Sequence, residues 1–274
     1  MDGSSARMTL FGSEHATALA CIAVGAILLV LIARRVRGTR AECRVTCAAG
    51  WVLLVVAVGW LLWGMIPAHW TIEQSLPFHY SDVLRIVTAV ALITRAGWAI
   101  AITYYWGLTL NLQSVLTPDL NYEQHPVLEF TVYWFLHALV LWAPIVLVWG
   151  LGYRPTWRGF GVAYGAALGW AVVAMTVNAA TGANYGYLSR PPAGFSVLDL
   201  LGGWPWYIGV EIAVVAVVWM LMTWPWSEPE RLMHAPVVDR WRVVRRWDGT
   251  PPPSARTLPA RERSTARRTL RRDG

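Results

Sequence analysis

Four side chains that can take part in acid–base or nucleophilic chemistry lie close together in the chain, at His79, Ser81, Asp82 and Arg85. Residues three positions apart share a helix face, so Asp82 can pair with both His79 and Arg85. A charge at the centre of a membrane helix costs about 2.5–3.5 kcal/mol on insertion scales, so such groups must face other helices or a wet cavity. The stretch 76–85 therefore predicts the core of a site. An inert ion pair that fixes helix register would explain Asp82 and Arg85 equally well.

A second group of polar residues, Glu129, Tyr133 and His137, has the four-residue spacing of one helix face. At 1.5 Å per residue, His137 lies about 16 Å from the predicted start of its helix, close to the middle of a bilayer. A single histidine in a helix is more often a packing residue than a catalyst. The prediction of a site therefore depends on His137 together with the other polar residues, and not on His137 alone. The residues predicted to contact a substrate are Asn111, Tyr133, Asn184, Tyr185, Tyr207 and Glu211.

The composition places these residues in a membrane protein. Hydrophobic residues make up 56% of the chain and charged residues only 14%, and the 18 tryptophans are typical of helical membrane proteins. All 23 basic residues are arginine. The three cysteines, Cys21, Cys43 and Cys47, do not predict a disulfide framework, and Cys43 and Cys47 lack the two further ligands of a structural zinc site.

The apolar runs predict an all-α, polytopic protein of the cell membrane with seven transmembrane helices, each near the roughly 20 residues that span a bilayer. The predicted helices cover about 15–33, 47–66, 77–94, 98–116, 126–149, 160–180 and 205–224. A polar segment, 1–14, precedes the transmembrane domain, 15–225, and does not have the features of a cleaved signal peptide. A basic tail, 226–274, follows the domain and is predicted to be disordered. The connections after the first, third, fifth and seventh helices hold five, one, two and twelve arginines, which predicts an outer N-terminus and a cytoplasmic C-terminus.

Two further features carry expectations of their own. Gly161, Gly165 and Gly169 form a small-residue stripe that predicts close packing against another helix of the chain, with a dimer interface as the alternative. The arginine-rich tail is predicted to contact anionic lipid headgroups, at about 1 kcal/mol per basic residue, or simply to enforce the topology. Nucleic acid is not expected as a partner, because the cluster follows a membrane helix directly. The sequence leaves the oligomeric state open.

With this topology, the polar residues of the helices fall on one side of the bilayer. Ser81 and Asp82 lie near the start of the third predicted helix, Glu129 near the start of the fifth and Glu211 near the start of the seventh. The inner halves of the helices are almost wholly apolar. Hydrogen bonds that serve only packing would not be segregated in this way. The sequence therefore predicts a cavity that opens to the outer face.

Five short motifs stand out along the chain. They are Leu76-Pro77-x-His79-x-Ser81-Asp82, Leu116-Thr117-Pro118-Asp119-Leu120, His125-Pro126-x-x-Glu129-Phe130-x-x-Tyr133-x-x-x-His137, Asn184-Tyr185-x-Tyr187-Leu188 and Trp204-Pro205-Trp206-Tyr207. Together they resemble the motifs of YwaF-type bacterial integral membrane proteins, and the resemblance runs from about Phe11 to Trp224. That family is similar to a superfamily of eukaryotic membrane enzymes that includes androgen-induced hydrolases of fatty-acid esters and a phospholipid acyltransferase.

The resemblance implies a nucleophile at or near Ser81 and a catalytic histidine at His137. Many YwaF-type proteins carry cysteine at the position of Ser81. A serine hydroxyl is far less ionised than a thiol, so Ser81 would depend more strongly on a neighbouring base.

The leading hypothesis is a lipid acyl hydrolase or acyltransferase that needs no cofactor and has membrane lipids as partners. Ser81 would attack an ester, His137 or His79 would act as general base, and Asp82 or Glu129 would orient that base. The side-chain amides of Asn111 and Asn184 are the candidates to stabilise the oxyanion.

Two alternatives remain open from the sequence. A metal-dependent hydrolase could use His79, Asp82, His125, Glu129 and His137, which suit zinc, although the chain has no HExxH-like helix signature. A transporter or small-solute binding protein could use the same polar groups, although the chain shows no detectable internal repeat of the kind that most secondary transporters have.

Overall fold

The computed structural model describes residues 6–118, 120–122, 125–191, 200–227 and 245–246. Within these ranges the chain is mostly helical, which confirms the prediction of a helical protein. Asp119 and most of the predicted tail, 228–244 and 247–274, lie outside the described residues. The expectations for them, including lipid binding by the tail, stay predictions, as does the orientation of the chain in the membrane.

Eight α-helices make up the described bundle. They are α1 Ser13–Val36, α2 Arg40–Gly64, α3 Tyr80–Thr94, α4 Gly97–Leu108, α5 Leu110–Leu116, α6 Pro126–Ile145, α7 Trp157–Thr181 and α8 Trp206–Thr223. A π-helical turn, Val146–Gly150, extends α6, and single 3-10 turns occur at Tyr185–Tyr187 and Trp224–Trp226.

The strands of the described chain are two residues long. Strand β1, Ala6–Arg7, pairs antiparallel with β2, Asn121–Tyr122. Strand β3, Tyr153–Arg154, pairs in parallel with β4, Arg245–Arg246. The first pair attaches the N-terminal segment to the chain just before α6.

Five helices of the described chain are long and apolar enough to cross a membrane. They are α1, α2, α6 with its π-helical turn, α7, and α8 with its final 3-10 turn. These five correspond to five of the seven predicted spans. Many of the apolar side chains of α1, α7 and α8 are exposed on the outside of the bundle, as expected for helices that contact lipid.

The other two predicted spans differ in detail. The third begins at Tyr80 instead of Pro77, because His79 has an extended backbone and is the N-cap of α3. The fourth is interrupted at Thr109, whose backbone angles, φ −122° and ψ −73°, are not helical; its hydroxyl donates to the carbonyl of Tyr105 at 2.5 Å. The two short helices α3 and α4 lie inside the bundle, where nine consecutive residues of α4 are buried.

Tryptophan indoles attach the outer helices to this interior. Trp142 of α6 donates to the carbonyl of Ile22 on α1 at 2.8 Å, and Trp106 of α4 donates to the carbonyl of Ala163 on α7 at 3.1 Å. Such bonds are effective in a bilayer because no water competes for the carbonyl oxygens. The packing of α1 and α7 therefore follows from polar contacts as well as from apolar burial.

A charged cluster closes the end of the bundle where α3 ends. Glu42 is 1% exposed and accepts hydrogen bonds from the backbone N–H of Gly38 at 2.6 Å and from Arg95 at 3.4 Å. Arg95 also donates to the hydroxyls of Tyr153, at 3.2 Å, and of Thr46. The cluster ties the turn before α2 to the turn between α3 and α4, and thereby fixes the end of α3 that is opposite Ser81.

The prediction for the glycine stripe of α7 is wrong within the described chain. No heavy atom of another helix comes within 4 Å of the place where a Cβ would lie on Gly161, Gly165 or Gly169. The close approach occurs at Gly50 instead, where α2 packs against α3. The spacing of small residues therefore indicates which face of a helix another helix could approach closely. Only the tertiary structure shows whether another helix packs against that face.

Gly50→Ala is expected to destabilise the protein by about 1–3 kcal/mol, the usual cost of overpacking. A Cβ at this position would lie 2.7 Å from Cγ1 of Ile93 and 3.0 Å from the carbonyl oxygen of Ala89. Gly59→Ala on the same helix is the matched control, because nothing lies within 4 Å of its Cβ. The free energy of unfolding in mixed detergent micelles measures both, and equal effects would contradict the proposed packing.

Candidate functional site

A cavity of about 660 Å³ lies among α2, α3, α5, α6, α7 and α8. On the side of the α3 N-terminus it is bounded by loops and a 3-10 turn, which contribute Met8 and Leu10, then His69, Thr71, Gln74 and Ser75, and then Gly186 to Leu188. The volume lies within the range of about 300–1,000 Å³ that is usual for small-molecule sites. Ser81 and His137, which come from different helices, both line this one cavity.

The first turns of α3 provide the charged wall of the cavity. Arg85 donates to the carboxylate of Asp82 at 3.0 Å, and the two side chains are 11% and 19% exposed. Ser81 and Arg85 are four residues apart, so the guanidinium lies one helical turn from the hydroxyl on the same face. The contact with Asp82 uses Nη1 of Arg85, and no other hydrogen bond of this guanidinium is formed among the described residues. Because the side chain lines the cavity, its remaining N–H groups can bind a ligand there.

His137 on α6 has a fixed ring orientation. Its Nδ1 lies 2.8 Å from the carbonyl oxygen of Tyr133, and the Tyr133 ring stacks on the imidazole at 4.1 Å between centroids. A carbonyl oxygen can only accept, so Nδ1 carries the hydrogen of the neutral ring and Nε2 keeps its lone pair. Nε2 forms no hydrogen bond among the described residues. No direct hydrogen bond joins His137 to Ser81 here, and such bonds are often absent before substrate is bound.

The alternative base, His79, and the candidate orienting group, Glu129, also line the cavity, but their polar atoms are engaged near the N-termini of α3 and α6. His79 Nε2 lies 2.9 Å from the carbonyl oxygen of Glu73. The carboxylate of Glu129 accepts from the backbone N–H of His125 at 3.0 Å, at the start of α6. The group that orients His137 is therefore the Tyr133 carbonyl, and not the carboxylate of Glu129.

The two predicted oxyanion amides, Asn111 and Asn184, do not line the cavity. The amide nitrogen of Asn111 donates to the carbonyl of His137 at 3.1 Å and joins α5 to α6. The side-chain oxygen of Asn184 accepts from the backbone N–H groups of Ser189 and Arg190, each at 3.1 Å. Asn111 therefore holds two helices together, and Asn184 holds a loop. Spacing in the sequence alone could not distinguish these structural roles from contact with a substrate.

Tyr185 and Tyr207 lie behind the cavity wall as well. The Tyr185 hydroxyl donates to the carbonyl of Ile72, and the Tyr207 hydroxyl donates to the carbonyl of Tyr187. Burial raises the pKa of the Tyr185 phenol above its usual range, so the hydroxyl remains protonated and available as a donor. These contacts connect the loop before α3 with the loop between α7 and α8.

Several residues that line the cavity were not among the predicted site residues. Arg85 belongs to the stretch predicted as the core of the site, but the sequence assigned it only the pairing with Asp82 and no contact with a substrate. Tyr80 pairs with the hydroxyl of Ser114 and donates to the carbonyl of Leu110 at 2.9 Å. Tyr164 and Trp170 lie in an apolar run of α7 and carried no sequence signal. Glu211 of α8, which was predicted, lines the cavity.

The geometry does not assemble the predicted metal ligands. Among the described residues, no group of three or more His, Cys, Asp or Glu side chains is close enough to hold a metal ion. His125 packs against aromatic rings instead, with its centroid 6.1 Å from that of His69 and 5.7 Å from that of Trp63.

A comparison with known families accounts for most of the chain. The family model described as the TMEM164 family matches residues 10–223, from just before α1 to the end of α8. The match includes every cavity-lining residue named above except Met8. No curated protein and no solved structure matches the chain.

Opposite tautomers are expected for two buried histidines at neutral pH. His137 should carry its hydrogen on Nδ1, for the reason given above. His15 should carry it on Nε2, since its Nδ1 accepts from the backbone N–H of Phe11 at 3.0 Å and its Nε2 lies 3.0 Å from the carbonyl of Val115. Nitrogen-15 NMR of histidine-labelled protein in nanodiscs distinguishes the two forms, and His137→Gln and His15→Gln assign the signals. An Nε2–H form of His137 would rule out Nε2 as the base in this state.

Proposed function

Because this chain belongs to the TMEM164 family of membrane proteins, we propose that it hydrolyses or transfers the acyl group of a membrane lipid in the cavity described above. The observation that carries the proposal is that the Ser81 hydroxyl, the Arg85 guanidinium and His137, whose Nε2 keeps a lone pair, line one cavity inside a bundle of apolar helices. The resemblance of the chain's motifs to YwaF-type proteins, and through them to membrane acyl hydrolases and an acyltransferase, supports the same chemistry.

In the proposed first step, Oγ of Ser81 attacks the ester carbonyl while Nε2 of His137 takes the hydroxyl proton. The bond between the carbonyl carbon and the alcohol oxygen then breaks, and His137 returns the proton to the leaving alcohol. In the second step, His137 removes a proton from water or from the hydroxyl of an acceptor lipid, which attacks the acyl-serine. The ester bond to Oγ of Ser81 then breaks, and His137 returns the proton to Oγ, which restores both side chains. Water gives hydrolysis and the lipid hydroxyl gives transfer.

The negative oxygen of the tetrahedral intermediate has two sources of hydrogen bonds in this proposal. One is the guanidinium of Arg85, one helical turn from Ser81. The other is the start of α3, where the backbone N–H groups of Tyr80 and Ser81 precede the first intrahelical bond, which begins at Asp82. Asp82 holds Arg85 in place and balances its charge while no substrate is bound. These donors replace the amides of Asn111 and Asn184 in that role.

The proposal also includes the location of the chemistry. We place the protein in the cell membrane, with the cavity in the outer leaflet and the arginine-rich tail on the cytoplasmic side, where it contacts anionic headgroups. The distribution of arginines between alternate connections supports this orientation.

Ser81→Ala and His137→Gln are each expected to lower acyl turnover by at least about 10³-fold, as is usual when a nucleophile or its base is removed. Turnover is measured as fatty-acid release or acyl transfer from phospholipid vesicles. A fluorophosphonate probe should label Ser81 in the purified protein, and labelling should disappear in Ser81→Ala.

The control for this experiment is Thr176→Ala, which removes an exposed hydroxyl of α7 that bonds only to the helix carbonyl of Val172 at 2.8 Å. It should leave turnover and labelling unchanged. Unchanged lipid turnover in both Ser81→Ala and His137→Gln, with no labelling of the original protein, would refute the proposal.

Arg85→Lys is expected to lower kcat by about 10²-fold, as does the loss of one oxyanion donor elsewhere, with a smaller effect on KM. Lysine keeps the charge beside Asp82 but loses the planar arrangement of donors. Arg190→Lys is the matched control, because Arg190 forms an exposed pair with Glu73 at 2.5 Å. Equal kcat values for Arg85→Lys and the unaltered protein would remove Arg85 from the mechanism.

A further inference from the structure

Two residues of α7 and α8 line the cavity and also keep more than a third of their surface accessible. Leu168 and Ile212 line the cavity, and each is also 37% exposed. Both lie in helices that are long and apolar enough to cross a membrane. A residue that is exposed on the bundle surface and also lines the cavity marks the boundary of an opening. The solvent at this position is hydrocarbon, because the segments that surround the opening are apolar.

The attachment of α8 explains why an opening can occur here. Near the inner end of α8, Trp219 donates to the hydroxyl of Thr109 at 3.0 Å. Near its outer end, Trp204 donates to the carbonyl of Leu188 at 3.1 Å, and Tyr207 donates to the carbonyl of Tyr187. The helix is therefore held to the rest of the bundle at both ends.

Between these anchors, α7 and α8 approach each other loosely. The hydroxyl of Tyr164 on α7 donates to the carbonyl of Ile212 on α8 at 3.0 Å. In the same region, no heavy atom lies within 4 Å of a Cβ built on Gly165, Gly169 or Gly209. The middle of the α7–α8 seam thus has a polar crossing point and open space beside it, and not an interdigitated contact.

The chemistry of the cavity changes from this seam toward α3. Leu168 and Ala171 of α7, together with Ile208 and Val215 of α8, give the seam a largely apolar lining, to which Glu211 of α8 adds a carboxyl group. The opposite wall carries the charged and hydroxyl groups of α3. A ligand that matches both walls has a hydrocarbon part at the seam and an ester at the polar wall. The volume of about 660 Å³ suits one acyl chain with its ester, while the remainder of a two-chain lipid stays in the bilayer.

We propose that the gap between Leu168 and Ile212 is a lateral portal through which one acyl chain of a bilayer lipid enters the cavity directly from the membrane. The ester then follows its chain to Ser81 without passing through water. The identity of the reacting ester rests on the proposed function, whereas entry of the chain does not require Ser81 to be reactive.

The test uses the full chain in vesicles of phosphatidylcholine that contain a phosphatidylcholine with a photoactivatable diazirine in one acyl chain. After irradiation, the labelled residues are identified by mass spectrometry. Leu136 and His137 on α6 are 0% and 4% exposed, and both line the cavity, so label on these residues reports an acyl chain inside it. Label on them is expected in the unaltered protein.

Leu168→Trp and Ile212→Trp should abolish this internal label, because an indole on either side fills the gap. The matched controls are Val173→Trp on α7 and Val214→Trp on α8, which are 49% and 45% exposed and do not line the cavity. They should keep the internal label. Thermal unfolding of all four variants confirms that each is folded, and comparison is made between variants of equal stability.

Undiminished label on Leu136 and His137 in both portal variants would overturn the proposal. The proposal would also be overturned if the lipid probe left Leu136 and His137 unlabelled and only a water-soluble, short-chain diazirine labelled them. Ser81→Ala separates the two proposals. If Ser81→Ala keeps the internal label and loses turnover, the result supports both the portal and the enzyme. If Ser81→Ala keeps the internal label and full turnover, the result supports the portal and rejects the Ser81 mechanism.

Discussion

The ion pair between Arg85 and Asp82 is the constraint on which the rest of this structure depends. Each charge would be costly in hydrocarbon, and even the pair at 3.0 Å leaves guanidinium N–H groups without a protein partner among the described residues. The chain can place the pair inside a bundle of apolar helices only if it surrounds the pair with polar groups and a space that a polar ligand or water can enter. The cavity meets this requirement.

The opposite end of α3 satisfies the same requirement in another way. There the buried carboxylate of Glu42 is surrounded by Arg95 and by the backbone N–H of Gly38, so that its charge is matched within the protein. This end is closed and structural, whereas the end with Ser81 retains donors that face a cavity. The difference between a closed and an open charged cluster distinguishes a structural role from a candidate site more clearly than the residue types do.

Hydrogen bonding also assigns different roles to residues of the same type. Nδ1 and Nε2 of His15 both have backbone partners, whereas His137 uses Nδ1 alone and keeps the lone pair of Nε2. The amide of Asn111 supports the helix that carries His137 and does not face the cavity. The family match supports a membrane protein, and the chemistry proposed for it depends on these local differences.

The sequence alone determined that the protein is helical and membrane-embedded, because apolar run length and the scarcity of charge follow directly from the thickness and dielectric of a bilayer. Spacing also placed Glu129, Tyr133 and His137 on one face of a helix, and the resemblance to YwaF-type proteins implied the roles of Ser81 and His137. Only the tertiary structure could decide that both residues line one cavity, that Asn184 and Tyr207 hold loops, and that the glycines of α7 have no helix against them. Those outcomes depend on contacts between residues far apart in the chain. Helical periodicity fixes which face a residue occupies and carries no information about what that face meets.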